Sequence, residues 1–203
     1  MRSIDTVVFD IGNVLLDWNP RYLYRKIFAD EDRMEWFLAN ICTPAWNLEQ
    51  DRGRSFADAV GLLTERNPEW AQEIRAFDER WEETIAGEIQ GSLQLLARLK
   101  RAGVPIYAIT NFSYEKYLQA AKRFAFFADF DGVVVSGRER LLKPDAAIYR
   151  LFLERYGVEA SRSLFVDDSL TNVEGARRVG MNAVQFRDAE GLAADLASFG
   201  VLA

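Results

Sequence analysis

Five short apolar runs along the chain each stop abruptly at polar residues. They are TVVFD (6–10), PIYAITN (105–111), FDGVVVS (130–136), SLFVDD (163–168) and NAVQF (182–186). Unbroken β-prone runs of this length suit strands buried on both faces, as in a parallel sheet. Between them the spacing of apolar positions changes to that of amphipathic helices: SLQLLARLKRAG (92–103), SYEKYLQAAKRF (113–124), DAAIYRLFLERYG (145–157) and SLTNVEGARRVG (169–180). The first of these closes on basic residues and Gly103, a normal helix stop. The alternation predicts an α/β fold, a doubly wound, Rossmann-like parallel sheet with helices on both faces. Ligands of such sheets bind at the C-terminal ends of the strands.

Residues 18–89 break the alternation. They carry no convincing strand pattern and are rich in Trp, Phe, Glu and Arg, with helical spacing over 21–28, 30–41, 55–67 and 68–85. The expected organisation is a catalytic core of residues 1–17 and 90–203, with an all-helical cap domain (18–89) inserted after the first strand. Hinges are expected near residues 17–20 and 86–92.

The chain has 203 residues, 49% of them hydrophobic, which is ample for one core plus an insertion. No apolar run approaches the roughly 20 residues needed to span a bilayer. The short N-terminal apolar run soon meets an aspartate, unlike a secretory signal. Cys42 is the single cysteine, which excludes an internal disulfide framework and suits a cytoplasmic setting. The net charge of −6 argues against general nucleic-acid binding. The absence of histidine changes the picture most: it removes Ser-His-Asp and Cys-His triads, HExxH zinc sites and imidazole acid–base catalysis. Chemistry here must rest on carboxylates, Lys, Arg, hydroxyls or a hard metal.

The polar strand ends supply such groups. The first strand delivers Asp10, the second Thr110 and Asn111, and a later one Asp167 and Asp168, while Lys143 sits in LLKPD just ahead of a helix. In a parallel sheet these ends share one edge. Clustered carboxylates repel unless a cation sits among them, and Mg²⁺ suits oxygen ligands with phosphate oxygens and waters. A lysine and a hydroxyl alongside would bind an anion. The set describes a phosphoryl group held between a divalent cation and a lysine, with a carboxylate able to attack it.

Four stretches in order, FDIGNVLLD, ITN, LLKPD and FVDDSLTNVEGA, resemble the four motifs of the haloacid dehalogenase superfamily. The resemblance covers nearly the whole chain, and the insertion after the first motif matches the helical-cap branch. FDIGNVLLDW is most similar to the branch that includes bacterial glucose-1-phosphate phosphatases. The resemblance implies a Mg²⁺-dependent phosphomonoester hydrolase acting on a small-molecule phosphate ester, a sugar phosphate first. Asp10 then matches the nucleophile that becomes an aspartyl phosphate and also binds Mg²⁺. Gly12 matches the position whose backbone carbonyl binds the metal, and Thr110 and Asn111 match groups near the phosphate. Lys143 matches the charge-neutralising lysine and Asp168 the direct metal carboxylate. Asp167 becomes an outer or alternative metal partner, and Asn172 stands where another metal-water carboxylate is common. In the insertion, Glu49, Asp51 and Arg52 of WNLEQDRG (46–53) are candidates to meet substrate hydroxyls from above.

One position departs from the pattern. Most phosphatases of this superfamily carry a second aspartate two residues after the nucleophile, as general acid and then base, and this chain has Gly12. Three explanations stand: a good leaving group, a substitute such as Asp17 or a cap residue, or a slow or absent phosphatase activity. Two rivals follow. A 2-haloacid dehalogenase would attack carbon without metal, although adjacent acids in FVDD suit an anionic substrate poorly. A catalytically weak relative would act as a binding or regulatory module.

Overall fold

The computed structural model describes residues 4–202; residues 1–3 and 203, which the sequence division assigns to the core, lie outside the described residues. Five strands form one parallel sheet in the order β5-β4-β1-β6-β7. They are β1 (Thr6–Phe9), β4 (Ile106–Thr110), β5 (Gly132–Val135), β6 (Ser163–Asp167) and β7 (Asn182–Gln185). Every residue of β1 and β6 is buried, the reason their sequences read as continuous apolar runs rather than alternating ones. Most of the helices from residue 90 onward fill the two sides: α6 (Gln90–Arg101), α7 (Tyr114–Arg123), α9 (Ala146–Tyr156), α10 (Leu170–Arg178) and α11 (Ala189–Ser198). The two faces make separate cores. Val7, Phe9, Leu95, Leu99, Ile106, Leu164 and Leu192 belong to one, and Val8, Ile109, Ile148, Phe152, Phe165 and Val173 to the other.

The sequence expectations hold for these elements to within a few residues at each end. Three readings need correction. First, the insertion is not strand-free at its borders: β2 (Leu16–Trp18) and β3 (Ile85–Glu88) pair as an antiparallel ribbon. Neither strand is long enough to show a period-two pattern, and each finds its partner only across the whole insertion. Second, residues 68–85 are not one helix. A 3₁₀ turn (Pro68–Trp70), α5 (Ala71–Glu79), a second 3₁₀ turn (Trp81–Thr84) and β3 succeed one another there. Third, the stretch 21–28 is helical only over α1 (Arg21–Tyr24).

Local chemistry sets the remaining insertion helices. Asp30 caps α2 (Glu31–Asn40) by accepting from the Arg33 N–H at 2.9 Å. Thr43 caps α3 (Pro44–Asp51) through Oγ1 and the Trp46 N–H at 3.0 Å, with Pro44 at the first helical position. Ser55 caps α4 (Phe56–Arg66) in the same way through the Asp58 N–H. Tyr24, Phe37 and Phe77 pack together inside the insertion, the Tyr24 and Phe37 rings 5.0 Å apart. Four contacts dock this layer on the sheet's C-terminal edge. Buried Lys116 on α7 pairs with Asp78 of α5, and Trp81 meets Phe112. Arg123 donates to the Glu82 carbonyl, and Ser136, opening the short helix α8 (Ser136–Glu139), donates to the Asp51 carbonyl at 2.6 Å.

Candidate active site

Strand order assembles the site. β1 lies between β4 and β6, and its neighbours in register are Ala108 and Val166 opposite Phe9. One residue further on, Asp10 emerges with Thr110 and Asn111 on one side and Asp167 and Asp168 on the other. This is the place where a doubly wound sheet changes its direction of winding and opens a crevice.

Lys143 is the centre of the cluster. Its ammonium, fully buried, lies 2.8 Å from Asp10 Oδ2 and 2.6 Å from Asp167 Oδ2. Asn111 fixes that lysine through the backbone: its Oδ1 accepts from the Lys143 N–H at 2.9 Å and its Nδ2 donates to the Lys143 carbonyl at 3.1 Å. The Lys143–Pro144 peptide is cis. Asp10 Oδ1 accepts from the Ile11 N–H at 2.8 Å, so each of its oxygens has a partner. Asp167 is spent more completely, accepting from Lys143, the Ser169 N–H and the Asn172 side-chain amide. Thr110 is buried at the end of β4.

The charges do not cancel. Asp10, Asp167 and Asp168 each offer an oxygen, all within 4.8 Å of one another, against the single ammonium of Lys143. Burial pushes the Asp10 carboxyl up to about 7 against the pull of Lys143, and Asp167 adds to the rise. Burial and Asp167 raise Asp168 as well, while an Asn13 hydrogen bond opposes them. Burial works against the Lys143 charge, but the two carboxylates outweigh it and hold the ammonium above its ordinary range. Three crowded carboxylates with excess negative charge and a half-exposed member, Asp168, fit a hard divalent cation such as Mg²⁺.

A cavity adjoins this cluster under the insertion. Ile11, Leu16, Trp18, Phe56, Trp81, Ile85 and Phe112 give it an apolar wall, and Gly12, Asn47, Asp51, Asn111, Ser113 and Lys116 its polar points. The structure places Glu49 elsewhere, exposed and beside Arg52 at 3.5 Å. The helix explains the difference: Asn47 and Asp51 are four residues apart on one face of α3, and Glu49 between them points away. Sequence reading also missed Lys116, Ser136 and the Asn13 link to Asp168. Asn13 takes a left-handed backbone conformation (φ 55°), which Asn tolerates well, and its side chain also accepts from the Trp18 N–H. Gly12, by contrast, has open space where a Cβ would stand, so sterics do not demand glycine there.

A family model described as haloacid dehalogenase-like hydrolase matches residues 4–180. The chain belongs to that hydrolase family. Among its curated relatives is a sesquiterpene phosphatase, astK, of Aspergillus oryzae, 27% identical over 92% of this chain and 91% of that protein. A glyceraldehyde 3-phosphate phosphatase of Pyrococcus furiosus is 25% identical over 92% of this chain and 82% of its own. Among solved structures, a haloacid dehalogenase family enzyme of Bacteroides thetaiotaomicron, in complex with magnesium and inorganic phosphate, superposes with a TM-score of 0.73. It shares 20% sequence identity, over 91% of this chain and 95% of that one. Among the described residues, no helix is long and apolar enough to cross a membrane.

Proposed function

We propose that this hydrolase is a Mg²⁺-dependent phosphomonoester hydrolase acting on a small phosphorylated metabolite. The observation that carries the reading is the buried Lys143 ammonium between Asp10 and Asp167, with Asp168 completing a three-carboxylate cluster at the strand ends. Asp10 is the nucleophile: one carboxylate oxygen attacks phosphorus, the alcohol leaves, and water then hydrolyses the aspartyl phosphate. Lys143 offsets the charge of nucleophile and phosphoryl oxygens, and Asn111 holds Lys143 in place. Thr110 and the backbone around Asn111 border the phosphoryl group. Asp10, Asp168 and the Gly12 carbonyl would hold Mg²⁺, with Asp167 beside them. Bound there, the metal supplies electrostatic stabilisation of phosphoryl oxygens as charge develops on them. Residues 18–89 serve as the cap, covering the leaving group and excluding water.

A sugar phosphate is the first candidate, its hydroxyls meeting Asn47, Asp51, Ser113 and Lys116. The aromatic wall of Trp18, Phe56, Trp81 and Phe112 favours a second, more apolar class, alkyl or isoprenoid monophosphates. The dehalogenase alternative is weaker, because a carboxylate substrate would face three carboxylates with one lysine. The test is phosphate release from a panel holding both sugar and isoprenoid monophosphates, with Mg²⁺ and with EDTA. Release that needs Mg²⁺ is expected. Failure of every member, together with metal-free halide release from 2-haloacids, would contradict the reading.

A further inference from the structure

Gly12 leaves the position two residues beyond Asp10 without a carboxylate, yet nothing crowds it. Expelling an alkoxide from a phosphate ester requires a proton on the leaving oxygen, and hydrolysing the phosphoenzyme requires a base for the water. The cavity that Gly12 lines on the sheet side is lined on the insertion side by Asp51, the last residue of α3. Its Oδ2 lies 3.4 Å from Asn47 Nδ2, and the Ser113 N–H at the start of α7 donates to the carboxylate. Its backbone carbonyl is held by Ser136 at 2.6 Å, so its position is fixed relative to the strand ends.

Asp51 is the carboxylate that lines this cavity, and the other acids named in the sequence are less suited. Both oxygens of Asp17 accept from the Tyr22 hydroxyl at 2.9 and 3.0 Å, and Glu49 is exposed. Asp167 is saturated by Lys143, Ser169 and Asn172.

We propose that Asp51 is the general acid and then the general base of this site, supplied from the insertion in place of a residue at position 12. The inference rests on the phosphatase reading above. In the first half-reaction an Asp10 oxygen forms its bond to phosphorus as the phosphorus–oxygen bond to the leaving group breaks. The Asp51 carboxyl proton passes to that oxygen, and the product leaves as an alcohol. In the second, the Asp51 carboxylate takes a proton from water as the water oxygen bonds to phosphorus. The bond to Asp10 breaks, inorganic phosphate departs, and Asp51 is protonated again. The proton inventory closes within the chain.

The environment of Asp51 agrees with that duty. Burial pushes its carboxyl up to about 7, the Ser113 N–H and Lys143 pulling the other way. Its place at a helix C-terminus, where the backbone dipole disfavours a negative charge, acts in the same sense as burial. The charged groups on its side are Lys143, ahead of α9, whose charge pulls on it, and Lys116 on α7, which lines the same cavity, while on α8, which packs against α3, Glu139 is paired with Arg155 and Arg138 lies over the Tyr114 ring. A group poised near neutral pH can hold the proton in one half-reaction and release it in the other.

The experiment compares Asp51→Asn with the parent protein, Mg²⁺ present, on an alkyl phosphate and on 4-nitrophenyl phosphate, whose leaving group needs no proton. Turnover of the alkyl ester should fall roughly 10²–10⁴-fold. The first burst of 4-nitrophenolate should keep its rate within about threefold, followed by slow release and accumulation of phosphoenzyme. The alkaline decline of kcat on the alkyl ester should vanish in the variant. Adding Gly12→Asp to Asp51→Asn should restore much of the lost rate, and Asp51→Glu should retain part of it. A 4-nitrophenolate burst slowed as much as alkyl ester cleavage, or no loss of turnover on either ester, would overturn the role of Asp51 while leaving the phosphatase reading intact. A parent protein silent on both esters would overturn both together.

Discussion

Lys143 holds two carboxylates with one ammonium, and its own backbone is held by one asparagine. Removing the side chain would leave Asp10 and Asp167 buried and uncompensated, a loss of about 3 kcal/mol or more. Lys143→Ala should therefore lower both turnover and the urea midpoint, and an unchanged midpoint would show that the two acids find another partner. Asp51 gives a residue-scale pH effect of defined sign. Burial pushes its carboxyl up to about 7 in the fold from an ordinary aspartate value of 3.8. The unfolded chain thus loses the proton first, and the stability Asp51 contributes is complete below about pH 4 and lost as pH rises to about 7. Metal-free Asp51→Asn should match the parent near pH 4 and melt a few degrees higher near pH 8. A difference that shrinks with rising pH would contradict that sign. Asp10, Asp167 and Asp168 were legible in the sequence because each ends or follows an apolar strand, and Lys143 because it stands in the LLKPD stretch ahead of a helix. The partnership of Asp51 with position 12 was not, since 38 intervening residues fold between them and only tertiary packing brings them to one cavity.

At the scale of elements, the central strands could be read because burial on both faces leaves an unbroken apolar run. The β2–β3 ribbon could not, because three- and four-residue strands carry no period and pair across the insertion. Helix α10 shows how packing reaches the chemistry. A Cβ at Gly175 would stand 2.8 Å from the Pro144 carbonyl oxygen and 3.0 Å from the Tyr149 hydroxyl. The backbone after Lys143 cannot yield without moving the lysine. Gly175→Ala is expected to cost about 1–3 kcal/mol of stability and to slow phosphate release more than a surface substitution on the same helix. Unaltered stability and rate would show that α10 and the Lys143 segment are free to separate.

Over the whole molecule, the division of labour follows from chain order. The parallel sheet brings residues more than 150 positions apart to one edge, and the insertion after the first strand lies over that edge. The Lys116–Asp78 pair, the Trp81–Phe112 contact and the Ser136–Asp51 hydrogen bond join the two layers around the cavity. In the proposed reaction the sheet supplies the nucleophile, lysine and clustered acids, and the insertion supplies the wall and the proton-transferring carboxylate. Everything in this arrangement depends on Asp10 becoming phosphorylated. The most direct measurement is a rapid acid quench of the protein turning over a phosphate ester with Mg²⁺, followed by peptide mass analysis. One phosphoryl group on the peptide containing Asp10, absent in Asp10→Asn, is the predicted result. Rapid turnover with no phosphoryl group on the chain at any quench time, or undiminished turnover by Asp10→Asn, would contradict the account.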